Sequence, residues 1–306
     1  MASTLNQPHF QNPVKAREYL ERVQWPNGPV CPHCGSVSKG HYALNGQAHR
    51  DGLWKCKDCR EQFTVTVGTV FERSKIALNV WLQAVHFLCS SKKGMSAHQL
   101  HRTLGVQYKT AWFMAHRIRK AMESRHDGQL GGGGGTVEAD ETFWGKKPGA
   151  KRAHGGYAHK NPVFSLVERG GKVRSFHVSN VTAKTLKPIL KLHMASDAHL
   201  MTDEAGQYRI LGPISASHQT VGHRKGEYVR GTVHTNTIEG FFSLLKRGLI
   251  GTYHHVGEQH LQRYVTEFDF RFNNRTALGV TDAERTDNTL KGISGKRLTY
   301  RRTHAQ

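Results

Sequence analysis

The stretch from residue 31 to residue 59 reads CPHCGSVSKGHYALNGQAHRDGLWKCKDC and contains two Cys-x-x-Cys pairs. Cys31 pairs with Cys34 and Cys56 with Cys59, and 21 residues separate the two pairs. Each pair can place two thiolates on one tetrahedral ion, and the spacer has room for the strands of a ribbon. Because four cysteines fill every position around the ion, the spacing predicts a zinc ribbon with a structural Zn²⁺ rather than a catalytic one.

Two nearby side chains are not assigned as zinc ligands. His33 lies inside the first pair, but four thiolates already complete the shell. Cys89 follows Phe87 and Leu88 on a predicted helix, where a buried and inert thiol is the ordinary case. The alternative interpretation, four cysteines that hold no metal, leaves the paired spacing unexplained.

The 306-residue chain carries a formal net charge of +21 at pH 7. Such a charge suits a polyanion, so nucleic acid is the first candidate partner. A membrane surface is the competing explanation, but apolar runs such as Val80-Trp81-Leu82 are too short to span a bilayer. Residues 1–6 lack the apolar stretch of a secretory signal. We therefore expect a soluble cytoplasmic protein, associated with the nucleoid and without a membrane partner.

Composition and hydrophobic spacing predict a multidomain α+β protein. Asn12-Pro13 has the pattern of a helix start, and residues 131–135 are all glycine, which predicts a flexible linker because ordering them costs entropy. The expected segments are a flexible arm over 1–11, an N-terminal helix and zinc ribbon over 12–72, a helix-turn-helix region over 73–127, a glycine-rich linker over 128–135, an α/β domain over 136–285 and a basic tail over 286–306.

A helix, a glycine turn and a second helix are predicted before the linker. Ser96 and Gln99 form a capping-box pattern, Gly105 lies in the turn, and the second helix covers about 107–122. The alternative is a helical pair that only packs against its neighbours. The side chains expected to face DNA on the second helix are Tyr108, Lys109, His116, Arg117, Arg119 and Lys120.

Acidic residues in the α/β region are candidate ligands for divalent ions. Asp140 lies on a predicted strand starting at Val137, and Asp203 ends a short apolar strand that starts at His199. Two aspartates on neighbouring strands can bridge two ions that activate an attacking oxygen and stabilise a leaving one. The rival acids that spacing leaves open are Glu138, Glu141, Glu204, Glu267 and Asp269.

The third ligand is expected on a helix that begins near Asn236. Asn236, Glu239, Ser243 and Lys246 fall on one polar stripe of that helix, opposite an apolar side. Glu239 then points towards the two aspartates. Lys246, two turns further on, is placed to hold a DNA phosphate.

Several short motifs together resemble the ISXO-like bacterial insertion-sequence transposases, over about residues 18–274. The motifs are Gly28-Pro29-Val30-Cys31-Pro32-His33-Cys34-Gly35, Trp54-Lys55-Cys56, Val67-Gly68-Thr69-Val70-Phe71, Glu138-Ala139-Asp140-Glu141-Thr142, His234-Thr235-Asn236-Thr237-Ile238-Glu239-Gly240 and Leu245-Lys246-Arg247-Gly248. The resemblance implies an RNase H-like catalytic domain of the DDE or DDNK type. It also gives Asp140 and Asp203 the roles of the first two metal-binding acids.

The resemblance leaves the third position open, because family members have either Glu or Asn there, followed by Lys. This chain has both Glu239 and Asn236 within one helical turn, and we favour Glu239 because a carboxylate suits a hard divalent ion better. Lys246 and Arg247 are expected to contact DNA.

The implied activity is that of a DNA transposase. It would bind terminal inverted repeats and use Mg²⁺ or Mn²⁺ to cleave DNA and transfer the freed strand. The expected partners are double-stranded transposon ends and target DNA, with a homodimer or larger assembly joining two ends. The alternatives are a DNA-binding repressor with an inert catalytic domain and a nuclease without strand transfer.

Overall fold

The computed structural model describes residues 4–124, 128–151, 156–209 and 214–299. Two compact units divide the chain, one combining Met1–Glu123 with Gly279–Gln306 and the other formed by Ser124–Leu278. No helix in the described ranges is long and apolar enough to cross a membrane.

The first unit begins with two short helices, α1 (Pro8–Gln11) and α2 (Pro13–Gln24). The side chain of Asn12 accepts hydrogen bonds from the amides of Val14 and Lys15, which confirms the predicted cap. The structure corrects the flexible arm expected over 1–11 where those residues are described. Phe10 is buried, and its carbonyl accepts a hydrogen bond from Gln83 Nε2 at 2.6 Å, so an apolar anchor orders this segment.

The ribbon that follows is a small antiparallel sheet in the order β1-β2-β3, made of β1 (Tyr42–Ala43), β2 (Trp54–Lys55) and β3 (Gln62–Phe63). Its core consists of Cys31, Cys56 and Phe63, with Trp25 and Trp54 packed against them. Strands of two residues and so small a core need a metal ion for stability.

Three longer helices follow the ribbon: α3 (Leu78–Ser90), α4 (Ala97–Leu104) and α5 (Tyr108–Ala121). Ser96 caps α4 by accepting the amide of Gln99, as predicted. Gly105 ends α4 in the left-handed conformation with φ of 65°, which a glycine adopts without steric cost.

The second unit is built on a five-stranded mixed sheet in the order β6-β5-β4-β7-β8. The strands are β4 (Thr136–Trp144), β5 (Asn161–Glu168), β6 (Val173–His177), β7 (His199–Asp203) and β8 (Ser217–Val221). Because β5 is antiparallel to both neighbours while β7 is parallel to β4 and β8, only β5 runs against the other four strands.

Helices cover both faces of this sheet. Helix α6 (Ala183–His193) buries Leu186 and Leu190 against Val137 and Ala139 on one face. Helices α7 (Asn236–Gly248) and α8 (Glu258–Asn273) bury Phe241 and Phe268 against Val163 and Val167 on the other. A sheet covered on both faces explains why β5 is buried over almost its whole length.

A two-stranded hairpin, β9 (Val229–Arg230) and β10 (Val233–His234), connects β8 to α7. Val233 is buried in a cluster with Met201 of β7 and Val221 of β8. Apolar packing of Val233 therefore holds the hairpin on the sheet.

The glycine run at 131–135 is ordered, in contrast to the predicted linker over 128–135. The amide of Gly131 donates to Glu168 Oε1 at 3.0 Å, and that of Gly133 donates to Asp197 Oδ2 at 2.8 Å. A Cβ on Gly131 would lie 2.6 Å from Val137 Cγ2. Leu130 is buried and forms an isolated β-bridge with Met194. The glycines thus permit a tight turn that packs against the second unit.

The chain ends with a helix that the sequence did not predict, α9 (Asp282–Lys291), which starts with a capping box between Thr281 and Glu284. It belongs to the first unit, where Arg285 Nη1 donates to the carbonyl of Cys89 at 3.0 Å. The sequence predicts an α/β domain that extends to residue 285 and a basic tail over 286–306. Helix α9 crosses that boundary and packs against α3 and α2, so the described part of this segment belongs to the first unit. Residues 300–306 of the predicted tail lie outside the described residues.

Candidate zinc and carboxylate sites

The four cysteines of the ribbon converge on one point. Their Sγ atoms all lie within 4.8 Å of one another, with Cys31 to Cys59 and Cys34 to Cys56 both at 3.7 Å. A tetrahedral zinc ion with Zn–S bonds of about 2.3 Å separates its sulfurs by about 3.8 Å. The cysteine geometry therefore fits structural zinc.

The turns that hold the cysteines have matching conformations. The residue after each pair, Gly35 or Arg60, has a positive φ, of 76° and 61°. His33 and Cys89 lie outside the cluster: His33 Nε2 is 3.3 Å from the carbonyl of Gln62, and Cys89 Sγ is 3.1 Å from Thr289 Oγ1. Neither is needed as a ligand.

Asp140 and Asp203 lie on adjacent parallel strands of the second unit. The register pairs Glu138 of β4 with Met201 of β7, and Asp140 and Asp203 each follow two residues beyond this last pair. Side chains alternate along a strand, which puts both aspartates on the face that carries α7. The structure thus brings the two predicted acids to one edge of the sheet.

Asp140 is surrounded by other acids. Burial, together with the negative charges of Glu141, Asp203 and Glu239, raises the pKa of Asp140 from 3.8 to about 8, against the lowering effect of the Glu141 amide. A cluster of hard oxygen donors with unbalanced negative charge is chemically suited to a divalent cation such as Mg²⁺ or Mn²⁺.

Glu239 approaches the aspartates from the first turn of α7. Its Oε1 accepts a hydrogen bond from Thr235 Oγ1 at 2.8 Å and lies 3.6 Å from His223 Nε2. Its side chain is 46% exposed. Asn236 is also exposed, and its amide is 3.4 Å from His234 Nδ1. Both candidates for the third metal ligand therefore lie in the first turn of α7, at the edge of the sheet that carries the two aspartates.

Glu138, one of the rival acids, is fully buried and holds the start of α7 on the sheet. Its Oε2 accepts the amide of Ile238 at 2.9 Å, and its Oε1 accepts Thr237 Oγ1 at 2.9 Å and Arg169 Nε at 2.7 Å. A carboxylate at a helix N-terminus satisfies free amides and interacts favourably with the helix dipole. Glu138 thus connects the strand of Asp140 to the helix of Glu239.

The other rival acids have different surroundings. Glu141 accepts hydrogen bonds from Gln207 Nε2 at 2.6 Å and from the hydroxyl of Tyr208. Glu267 is buried beside Arg271. Asp269 accepts the amide of Ser175 at 2.7 Å, and burial raises its pKa to about 7. Glu204 is partly buried next to Asp203.

The carboxylates are more widely spaced than the cysteines. Within the described ranges, only the cysteines form a set of three or more ligand side chains with all donor atoms within 4.8 Å. We call the part of the sheet where Asp140, Asp203 and Glu239 lie the acidic edge. Their negative charges are near one another, but their carboxylate oxygens do not all lie within 4.8 Å.

The basic residues predicted on α5 divide into two groups. Tyr108 and Lys109 are exposed at its start. Arg119 and His116, expected to be exposed, are buried, because they lie on the side of α5 that packs into the first unit.

Two further basic side chains of α5 contact protein groups. Arg117 donates to the carbonyls of Leu298 and Glu72, both at 3.2 Å. Lys120 Nζ lies 2.5 Å from Glu123 Oε2. On α7, Lys246 and Arg247 are exposed as predicted.

Sequence reasoning missed the residues that position Glu239. Glu138 and Asp140 are two residues apart on one strand, so the sequence already indicated that their side chains share a face of the sheet. The contact of His223 with Glu239 gave no local signal, whereas Thr235 lies only four residues before Glu239, at the start of the same helix.

Comparison with known proteins agrees with these features. Residues 131–273 match the ISXO2-like transposase domain, and residues 12–62 match a transposase zinc-ribbon domain. The chain is 31% identical over 282 residues to an uncharacterized protein in transposable element ISH50 of Halobacterium salinarum, covering 86% of this chain and 91% of that protein. It is 29% identical over 103 residues to an uncharacterized transposase-like protein of Haemophilus influenzae, covering 34% of this chain and 82% of that protein.

A zinc ribbon in one unit and an acidic edge on a mixed sheet in the other, together with these matches, define a transposase. The chain belongs to the ISXO2-like transposase family of insertion sequences.

Proposed function

We propose that this transposase binds the ends of its insertion sequence, cleaves DNA with the help of divalent ions and transfers the freed strand to target DNA. The observation that carries the proposal is that Asp140, Asp203 and Glu239 lie near one another at one edge of the sheet, where burial and the neighbouring negative charges raise the pKa of Asp140. A carboxyl as buried as that of Asp140, with other negative charges beside it, is costly to ionise unless a cation balances the charge.

The second unit serves as an RNase H-like catalytic domain in this proposal. Its strand order β6-β5-β4-β7-β8, with only β5 reversed, supports that assignment. The two aspartates then lie on the central strand and on its parallel neighbour.

Asp140, Asp203 and Glu239 would hold Mg²⁺ or Mn²⁺, which when bound activate the attacking oxygen and stabilise the leaving one. Thr235 and His223 orient Glu239, and Glu138 fixes the helix that carries it. Asn236 remains the alternative third ligand. Lys246, exposed further along α7, would hold a DNA phosphate.

Helices α4 and α5 would act as the helix-turn-helix, with a revised contact surface. Tyr108 and Lys109 at the exposed start of α5 are placed to reach DNA, whereas Arg117, Arg119 and Lys120 have structural contacts or are buried. The net charge of +21 supports long-range attraction to DNA and association with the nucleoid. Joining two transposon ends would require a homodimer or larger assembly.

The test is cleavage and strand transfer on labelled terminal repeats with target plasmid and Mg²⁺ or Mn²⁺. Asp140→Asn and Asp203→Asn should each lower the rate at least about 100-fold, because a charged ligand becomes neutral. Glu18→Gln, an exposed acid of the first unit, is the matched control. Equal cleavage by the parent and both aspartate variants would refute the proposed site.

The same assay distinguishes the two candidates for the third position. Glu239→Gln should abolish cleavage, whereas Asn236→Ala should retain most of it. The opposite result would assign the ligand to Asn236.

A further inference from the structure

The hairpin between β8 and α7 is held beside the acidic edge by contacts with the sheet and with Arg169. Val233 packs with Met201, which lies two residues before Asp203 on β7. Arg169 Nη1 also donates to the carbonyl of Thr232 at 2.7 Å. Since Arg169 binds Glu138 as well, the hairpin and the start of α7 share one support.

Tyr228, at the start of this hairpin, presents an aromatic ring to solvent. Its residue exposure is 60%, and its ring meets that of His223 edge-on with 5.1 Å between centroids. His223 Nε2 in turn lies 3.6 Å from Glu239 Oε1. The side chain of His223 therefore lies between the exposed ring of Tyr228 and Glu239, a proposed metal ligand.

Two basic side chains lie in the same segment as Tyr228. Lys225 is exposed, and so is Arg230, whose Nη2 donates to the carbonyl of Thr220 at 3.0 Å. The acid in this segment, Glu227, is engaged by the amide of Gly222 at 3.2 Å and by Arg230 at 3.6 Å. Cations beside an exposed aromatic ring have the chemistry that binds single-stranded nucleic acid.

We propose that Tyr228 stacks on an unpaired nucleobase of the DNA strand that enters the acidic edge. The hairpin then acts as a platform that holds the strand beside the reacting phosphate. Stacking uses the π face that every base possesses, so the contact is independent of sequence. The inference rests on the proposed function, because it requires DNA at the carboxylates.

The experiment measures binding of the full chain to two probes without divalent ions, so that no cleavage occurs. One probe is a blunt DNA duplex, and the other is the same duplex with a short single-stranded overhang that carries 2-aminopurine. The parent protein should bind the overhang duplex about tenfold more tightly and should quench the 2-aminopurine fluorescence, because base stacking on an aromatic ring contributes on that order.

Tyr228→Ala should remove both the preference and the quenching, whereas Tyr228→Trp should retain them. Tyr42→Ala is the matched control, because Tyr42 is 53% exposed in the other unit and its loss should leave the ratio of the two affinities unchanged. An unchanged preference in Tyr228→Ala would overturn the inference, as would an equal loss of affinity for both probes.

Failure of this inference is distinguishable from failure of the proposed function. A parent protein that cleaves terminal repeats but binds both probes equally would contradict only the role of Tyr228. A parent protein that binds neither probe and cleaves nothing would contradict both.

Discussion

The zinc ribbon and the acidic edge both contain side chains suited to binding metal ions, but they are built in opposite ways. The cysteines come from two short turns, and their sulfurs already lie at the spacing of a tetrahedral ion. The carboxylates come from β4, β7 and α7 and stand further apart. A structural site must be complete for the fold to exist, whereas a catalytic site needs open positions for substrate.

The largest expected effect is loss of the ribbon on removal of its zinc. Cys31→Ser should abolish zinc binding and unfold the ribbon, because a structural zinc ion supplies on the order of 10 kcal/mol of folding free energy. Metal analysis and thermal unfolding measure the result. Cys89→Ala is the control, since this buried thiol lies outside the cluster and its variant should retain zinc. A Cys31→Ser protein with normal zinc content would show that the ribbon does not depend on this ligand.

The second prediction concerns stability at the acidic edge. The pKa of Asp140 in the folded protein, about 8, lies above the ordinary value of 3.8, so ionisation destabilises the metal-free fold as pH rises between these values. Asp140→Asn should therefore raise the free energy of unfolding of the metal-free protein at pH 8 by about 1 kcal/mol or more.

Denaturant unfolding at pH 5 and pH 8 checks this prediction. The parent should lose more stability than Asp140→Asn between the two pH values, and Mg²⁺ should stabilise only the parent. Identical pH dependence in both proteins would contradict the raised pKa of Asp140. The cysteine site should show no such gain from losing a ligand.

The third prediction tests how the open site keeps its geometry. Glu138→Gln should lower the cleavage rate about tenfold or more and destabilise the protein by about 1–3 kcal/mol, because the buried carboxylate binds both Arg169 and the Ile238 amide. DNA affinity should change little.

A double-mutant cycle with Arg169→Gln supplies the control for the third prediction. If Glu138 positions α7 together with Arg169, the effects of the two substitutions on the cleavage rate should be strongly non-additive. Additive effects would show that Glu138 acts independently of Arg169.

The smallest expected effect concerns the two turns of the ribbon that follow the cysteine pairs. Arg60 has a φ of 61°, a conformation that costs a non-glycine residue about 1 kcal/mol, whereas Gly35 occupies the equivalent position without that cost. Arg60→Gly should raise ribbon stability slightly, and Gly35→Ala should lower it by about 1 kcal/mol, as measured by thermal unfolding with zinc bound. A destabilised Arg60→Gly variant would indicate that the Arg60 side chain contributes more than its backbone strain costs.

Much of the fold followed from local patterns. Asn12 and Ser96 cap their helices as predicted, and β5 and β6 form a hairpin across a turn that contains Gly170 and Gly171. These features depend on a few neighbouring residues, so their signals are contained in short windows.

Other features needed the folded chain. The glycine run predicted a linker because glycines cost entropy, but buried Leu130 and the carboxylates of Glu168 and Asp197 order it. Arg119 was expected on an exposed face, yet α5 is covered on more than one side. Tertiary packing decided both outcomes.

The sequence by itself determined the ligands of the zinc site and the strands that carry Asp140 and Asp203, because cysteine spacing and strand alternation are local. Only the tertiary structure decided that Glu138 is a support for α7, that His223 and Thr235 orient Glu239, and that α9 returns to the first unit. Apart from Thr235, which lies four residues before Glu239, these contacts join residues distant in the chain, and their partners are selected by packing that no short stretch of sequence specifies.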